Sequence, residues 1–299
     1  MTNKEKMFDA YNQHLNIVRG LNITNRTDEY ICPICLQGFC KDDIDQLSLE
    51  DAPQNALGGK KIALTCRKCN STCGHTIDSH LVNSIIFYEN KKFLTGSERK
   101  IRIPELDING ILKVKNNNEK ELLIPKNYFK SSIHSECLKT LVAGKEIGIQ
   151  DKSQIVKFHY VTAAVIKSAY IILFNKTGYT FLLDEYYNAI RKYIVAPETI
   201  TRPKGMWKII KISNCSDGVY LSNSKKCRGF CIIYTVSKIQ SYKIITYIPS
   251  PLVKFEDAII SFQNLKIGND LLLQKLDSQS LLVNADEIKS LREWTYSDK

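Results

Sequence analysis

The chain has 299 residues, of which 43% are hydrophobic and 24% charged, and its formal net charge is +11. That balance is ordinary for a globular protein and excludes disorder, collagen and a peptide-sized disulfide scaffold as readings of the whole chain. No apolar run reaches the ~20 residues of a bilayer-spanning helix, because the best one, Phe158 to Phe174, is interrupted by His159 and Lys167. The surplus charge is uneven. Residues 1–78 carry 9 basic and 10 acidic side chains, residues 79–157 carry 14 and 9, and residues 158–299 carry 19 and 12. A basic body favours polyanions, nucleic acid above all, although a lysine-rich surface that only solvates the protein has the same composition. The opening MTNKEKMFDAYNQ lacks the apolar stretch of a secretory signal. The expected setting is cytoplasmic, with no membrane partner.

Residues 1–20 read as a short helix that leads in, within a segment 1–29. Next come two C-x-x-C units, Cys32 with Cys35 and Cys66 with Cys69, separated by thirty residues. Each unit can form a tight knuckle, and two knuckles close four thiolates round one tetrahedral ion. The expected cofactor is a structural zinc that supplies folding free energy to a segment too short for a core of its own. Four buried structural cysteines are the plainer alternative. Between the knuckles, Leu47 and Leu49 alternate with polar neighbours and predict a strand. The adjacent acids Glu50 and Asp51, Pro53 and a Gly58–Gly59 turn follow, and Ile62 and Leu64 predict a second strand. After the second knuckle, Ile77, Leu81 and Ile85 recur at helical spacing.

The order knuckle, strand, acidic pair, turn, strand, knuckle, helix, in the text CPIC…LSLEDAPQNALGGK…LTCRKCNSTCGHTID, resembles the HNH endonucleases with a zinc knuckle round a ββα-metal core. The resemblance covers about residues 30–82. It implies that Cys32, Cys35, Cys66 and Cys69 hold zinc, that Glu50 is the metal-binding acid, and that Asn70 is a second ligand of a catalytic Mg²⁺ or Mn²⁺. It also implies phosphodiester hydrolysis in DNA, in a bacterial restriction, phage-defence or mobile-element setting. The family's general base is a His, and here that position holds Asp51. Asp51 is then the base, or a ligand with metal-bound water completing the reaction, or the mark of a lost active site. On an ideal helix His75 lies about 140° round from Asn70 and Asp78 about 80°. Each is open as a base or ligand, or as an ordinary solvated side chain.

Beyond the module, strands are predicted at KIRIPELD, GILKVK and ELLIP and a helix over Ile133 to Val142. Another helix runs from Val156 to Asn175 and ends at Gly178, and a further one spans Asp184 to Tyr193. Strands follow at Trp207–Ser213, Gly218–Leu221, Gly229–Val236 and Tyr242–Ile248, and a last helix over Ala285–Trp294. Tyr170, Tyr179, Tyr186, Tyr187 and Tyr193 lie among basic residues and serve either as core or as a base-stacking surface, with core the commoner outcome. Cys215, Cys227 and Cys231 read as buried strand cysteines rather than a second metal site with Cys137. The fold class is therefore α+β. An HNH-like module over 30–90 is followed by a strand-rich connection over 91–150 and an α+β domain with an antiparallel sheet over 151–299. The functional expectation is a DNA endonuclease whose single core makes one cut, so that double-strand breaks would need a homodimer or two visits. The alternatives are a degenerate zinc-knuckle protein that binds nucleic acid without cutting, and a scaffold that meets a protein partner.

Overall fold

Thr2 and Glu5 form a reciprocal capping box at the start of α1 (Asn3–Gly20), which satisfies two backbone donors that a helix start leaves open. In this computed structural model the described residues are 1–116, 119–124, 148–152, 156–199, 205–210, 215–224, 227–251, 253–264, 273–277 and 281–296. They form an α+β fold whose sheets are antiparallel throughout. The chain divides into two units. One comprises 1–82, 157–237 and 241–299, and the other 83–156 with 238–240.

In the first unit, the short strands β1 (Tyr30–Ile31) and β2 (Gly38–Phe39) pair to make the first knuckle. So short a ladder leaves backbone groups without partners; the buried Tyr179 hydroxyl meets those of Ile31, and the buried Tyr30 ties the knuckle to Leu64 of the following hairpin. The Tyr30 hydroxyl donates to the Leu64 carbonyl at 2.7 Å and accepts from the Leu64 N–H at 3.1 Å. The Tyr179 hydroxyl accepts from the Ile31 N–H at 2.9 Å. Phe8, Tyr11 and Phe174 pack round these rings. The second hairpin joins β3 (Leu47–Ala52) to β4 (Lys60–Cys66). Gly59 in its turn lies so close to Pro53 that a β-carbon there would meet the Pro53 carbonyl oxygen at 1.5 Å.

The helix after β4 is not uniform. α2 (Arg67–Cys73) runs through a π turn, Gly74–Asp78, into α3 (Ser79–Lys91). Thr76 donates to the Thr72 carbonyl at 2.7 Å and Ser79 to the His75 carbonyl at 3.4 Å, a back-bonding that accompanies local distortion of helices.

The core helix is α4 (Phe158–Thr177), buried on nearly every side. Its length and apolarity would pass for a membrane span, yet 72% of that window is inside the protein. It lies against β3 and β4 on one side and the five-stranded sheet on the other. α5 (Tyr179–Leu182), a 3₁₀ turn at Glu185–Tyr187 and α6 (Asn188–Val195) follow. Tyr170, Tyr179, Tyr187 and Tyr193 are all core residues. The sheet has the order β13-β10-β11-β12-β9. Its strands are β9 (Trp207–Ile210), β10 (Gly218–Ser222), β11 (Gly229–Ser237), β12 (Ser241–Pro249) and β13 (Leu273–Lys275). α7 (Phe255–Asn264) and α8 (Ala285–Tyr296) complete the unit. Cys231 of β11 and Cys227, two residues before that strand, are buried in the sheet's core, and Cys215, half-buried and outside the strands, packs against it.

The second unit holds a four-stranded sheet of order β7-β6-β5-β8. The strands are β5 (Glu98–Ile103), β6 (Ile108–Val114), β7 (Lys120–Leu123) and β8 (Gln150–Asp151). Ile101, Ile103 and Leu112 form its core. The helix predicted over Ile133–Val142 lies outside the described residues.

Gly178 closes α4 at φ +56 and ψ −135, and a β-carbon there would meet the His14 ring at 2.3 Å. That region of backbone space is disfavoured for any residue but glycine. Gly178→Ala is therefore expected to cost at least about 2 kcal/mol, measured by urea unfolding. An unchanged midpoint would contradict this account of the turn.

Candidate functional site

Cys32 follows β1, and its carbonyl accepts from the Leu36 N–H at 2.9 Å, which folds the first knuckle. Cys66 ends β4 and caps α2, so that its sulfur accepts from the Cys69 N–H at 3.3 Å. The Cys32 sulfur accepts from the Cys66 N–H at 3.3 Å, which draws the two knuckles together. All four sulfurs lie within 4.8 Å of one another, and Cys35 and Cys66 are 3.8 Å apart. A tetrahedral tetrathiolate with metal–sulfur bonds of about 2.3 Å has sulfur–sulfur edges of about 3.8 Å, so the set fits a zinc-type ion. Hydrogen bonding among the four sulfurs lowers the Cys35 and Cys66 thiols and raises Cys32, while at Cys69 the lowering effect of Cys32 is outweighed by Cys35 and by burial, which raise it. A metal ion would bind the deprotonated form of all four. Among the described residues this is the one such cluster.

The acidic residues form a second centre. Glu50 and Asp51 straddle a break in the β3–β4 register. Glu50 pairs with Ala63 and Asp51 with Lys61, which leaves Ile62 as a bulge. A bulge re-aims the side chains beside it. The Glu50 carboxylate turns inward and is 4% exposed. Asp78, at the end of the π turn, meets it from the helix side. A π turn inserts one residue into the helical register, so Asp78 swings from about 80° off the face of Asn70 to about 20°.

Between the two carboxylates sits an ammonium. Lys167 of α4 places Nζ 2.7 Å from Glu50 Oε1 and 2.6 Å from Asp78 Oδ2. Its side chain is 2% exposed. Each outer carboxylate oxygen has its own donor. Thr65 Oγ1 donates to Glu50 Oε2 at 2.9 Å, and Gln54 Nε2 to Asp78 Oδ1 at 2.7 Å. Burial pushes Glu50 above the usual carboxylate range, and the Lys167 ammonium pulls it partly back. Burial by itself would lower Lys167, but the Glu50 and Asp78 carboxylates outweigh it and hold the ammonium above its ordinary value.

The other expected site residues stand apart from this pairing. Asn70 is half-buried and donates through Nδ2 to the Leu49 carbonyl at 3.2 Å, bracing the helix against β3. Asp51 is half-buried beyond the bulge. Burial raises it, and Lys61 and then Lys167 oppose the rise. His75 is exposed on the π turn. Lys167, Thr65 and Gln54 did not emerge from the sequence as site residues. One signal was available for Lys167: a lone lysine inside an otherwise apolar, buried helix needs a charge partner. Comparisons with protein-family models, with curated proteins and with solved structures give no match to this chain.

Replacing Lys167 by Met would leave two buried carboxylates face to face. The expected loss is about 3–5 kcal/mol at neutral pH. The folded-state pKa of Glu50 would rise further above its unfolded value. Stability linked to that group is present below the ordinary carboxylate pKa and is lost as pH rises through the raised one. Lys167→Met should therefore recover part of its loss on acidification to about pH 5, and adding Glu50→Gln should flatten that recovery. Urea unfolding at both pH values checks this, and an equal loss at each would count against it.

Proposed function

We propose that residues 30–82 form an HNH-like ββα frame held by a structural zinc, with an acidic centre neutralised by Lys167 instead of a divalent cation. The chain on this reading binds nucleic acid without hydrolysing it. The position of Lys167 Nζ, within 2.7 Å of Glu50 and 2.6 Å of Asp78, is the observation that carries the proposal. A Mg²⁺ ion would need oxygen ligands at about 2.0–2.1 Å in the same space, and ammonium and cation cannot share it. Glu50 and Lys167 are also too deeply buried for a scissile phosphate to reach. The net charge of +11 supports attraction to a polyanion.

A second reading, a metal-dependent HNH-type endonuclease, is favoured by one observation. Glu50 and Asp78 face each other across a gap the size of one cation, as two ligands of Mg²⁺ or Mn²⁺ would. On that reading Glu50, Asp78 and Asn70 would hold the ion, which would polarise a phosphate, and Asp51 or His75 would be the candidate acceptor of a proton from water.

Plasmid DNA mixed with the protein in Mg²⁺ or Mn²⁺ separates the two. The expected outcome is intact supercoiled DNA, retarded in a gel and released steeply as salt rises. Relaxed or linear product that needs metal and vanishes in Glu50→Ala would establish the second reading. No retardation at low salt would overturn the nucleic-acid proposal.

Elemental analysis tests the zinc separately. One zinc per chain is expected, lost in Cys69→Ser together with a lowered thermal midpoint. A folded wild type free of metal would contradict it.

A further inference from the structure

α3 ends on a residue that is unusual for its position. The Phe93 N–H donates to the Asn90 carbonyl at 3.1 Å and the Leu94 N–H to the Glu89 carbonyl at 3.3 Å. This is the hydrogen-bond pattern of a helix closed by a left-handed residue, and glycine normally fills that place. Phe93 takes it at φ +51. A bulky side chain at positive φ is a backbone outlier, and such outliers gather at functional positions.

The ring held there is 38% exposed. The Arg99 guanidinium of β5 and the Lys120 ammonium of β7 each lie 4.7 Å from its centroid. One turn back along α3, Lys92 Nζ lies 4.2 Å from the centroid of Tyr88, which is 44% exposed. Lys91 Nζ lies 4.8 Å from that of Phe87. Three rings thus carry four cations between them, all within the second unit. Asp151, 3.5 Å from Arg99, offsets one of the cations. Among the described residues Lys91, Lys92 and Lys120 form no ion pair. The base of the surface is fixed: Glu89 is buried, and its Oε1 accepts from the Ile239 and Gln240 N–H groups at 3.0 and 2.9 Å. Arg99 donates to the Asn90 carbonyl beneath Phe93.

We infer that the exposed rings of Tyr88 and Phe93, with Lys91, Lys92 and Lys120, are stacking sites for unpaired bases of a single-stranded nucleic acid. The inference rests on the nucleic-acid reading above and gives it a place and a strand form. Exposed rings accept the face of a base of any sequence. Lysines resting on those rings can move a short way to meet the phosphates that come with the bases. A duplex keeps its base faces stacked within itself and offers such rings nothing.

Fluorescence anisotropy with labelled oligo(dT), oligo(rU) and a duplex tests this on the full chain. Phe93→Gly removes the ring and relieves the backbone, so its thermal midpoint should not fall. Its affinity for the single strands should fall about tenfold. Lys91→Gln with Lys92→Gln should reduce the slope of log affinity against log salt by about 0.7 for each lysine, and this variant carries the test if Phe93→Gly is destabilised. Preference for oligo(dT) or for oligo(rU) tells DNA from RNA as the natural source, and either preference supports the platform. Wild-type affinity in both variants, with the wild type still binding, overturns the platform and leaves the broader reading standing. No binding of any probe by the wild type overturns both. A duplex that binds as tightly as oligo(dT), with the same loss in Phe93→Gly, overturns the choice of single strands.

Discussion

The Lys167 ammonium is shared by a carboxylate from β3 and one from the π turn of the following helix. Burying an ion costs several kcal/mol, and the cost is met only when the partners and their outer oxygens are all satisfied. Here they are, through Thr65 and Gln54. Lys167 lies 89 residues beyond Asp78. The hairpin and helix of the N-terminal module therefore cannot close their acidic face alone. They need α4, and α4 needs them, because a lysine inside an apolar helix has no other counter-charge among these neighbours. The knuckles, the hairpin and the five-stranded sheet become one cooperative unit through that exchange of charge.

Two closures hold the module, and they differ in chemistry. The four thiols pin the knuckles at one end of the β3–β4 hairpin, where a soft, closed tetrahedral site belongs. The ammonium pins the strand bulge and the π turn at the other. With Glu50 and Asp78 turned inward, the module presents Lys60, Lys61, Arg67 and Lys68 to solvent, together with Asp42, Asp45 and a half-buried Asp51. The segment that looks neutral to acidic when its charges are counted is more basic at its surface than its composition suggests. On the proposed reading, the pairing that takes the place of a catalytic cation also leaves the surface more attractive to phosphate.

Much of this was legible in the sequence, and the misses have particular causes. The knuckle spacing located the four-cysteine cluster because the chemistry of a tetrahedral site fixes residue type and separation together. The alternation at Leu47, Leu49, Ile62 and Leu64 gave the hairpin, and the tail and sheet strands fell near their predicted bounds. Tyr170, Tyr179, Tyr187 and Tyr193 went to the core. The π turn was not legible, since one extra residue in a helix leaves no periodic trace over so short a stretch. It decided where Asp78 points. The Glu50–Lys167 pairing was not legible either, because it joins segments 117 positions apart by residue number. Lys167 counted only as an interruption of an apolar run, when its isolation there was the clue. Phe93 was missed because nothing in composition marks a residue that will be held at positive φ.

The central claim is that an ammonium, not a metal ion, occupies the space between Glu50 and Asp78. A crystal of the zinc-loaded protein soaked in Mn²⁺, with anomalous data collected on both sides of the manganese edge, addresses it directly. The account predicts density for Lys167 Nζ between the carboxylates and no manganese signal there. A manganese peak bridging Glu50 and Asp78, with Lys167 displaced, would contradict it.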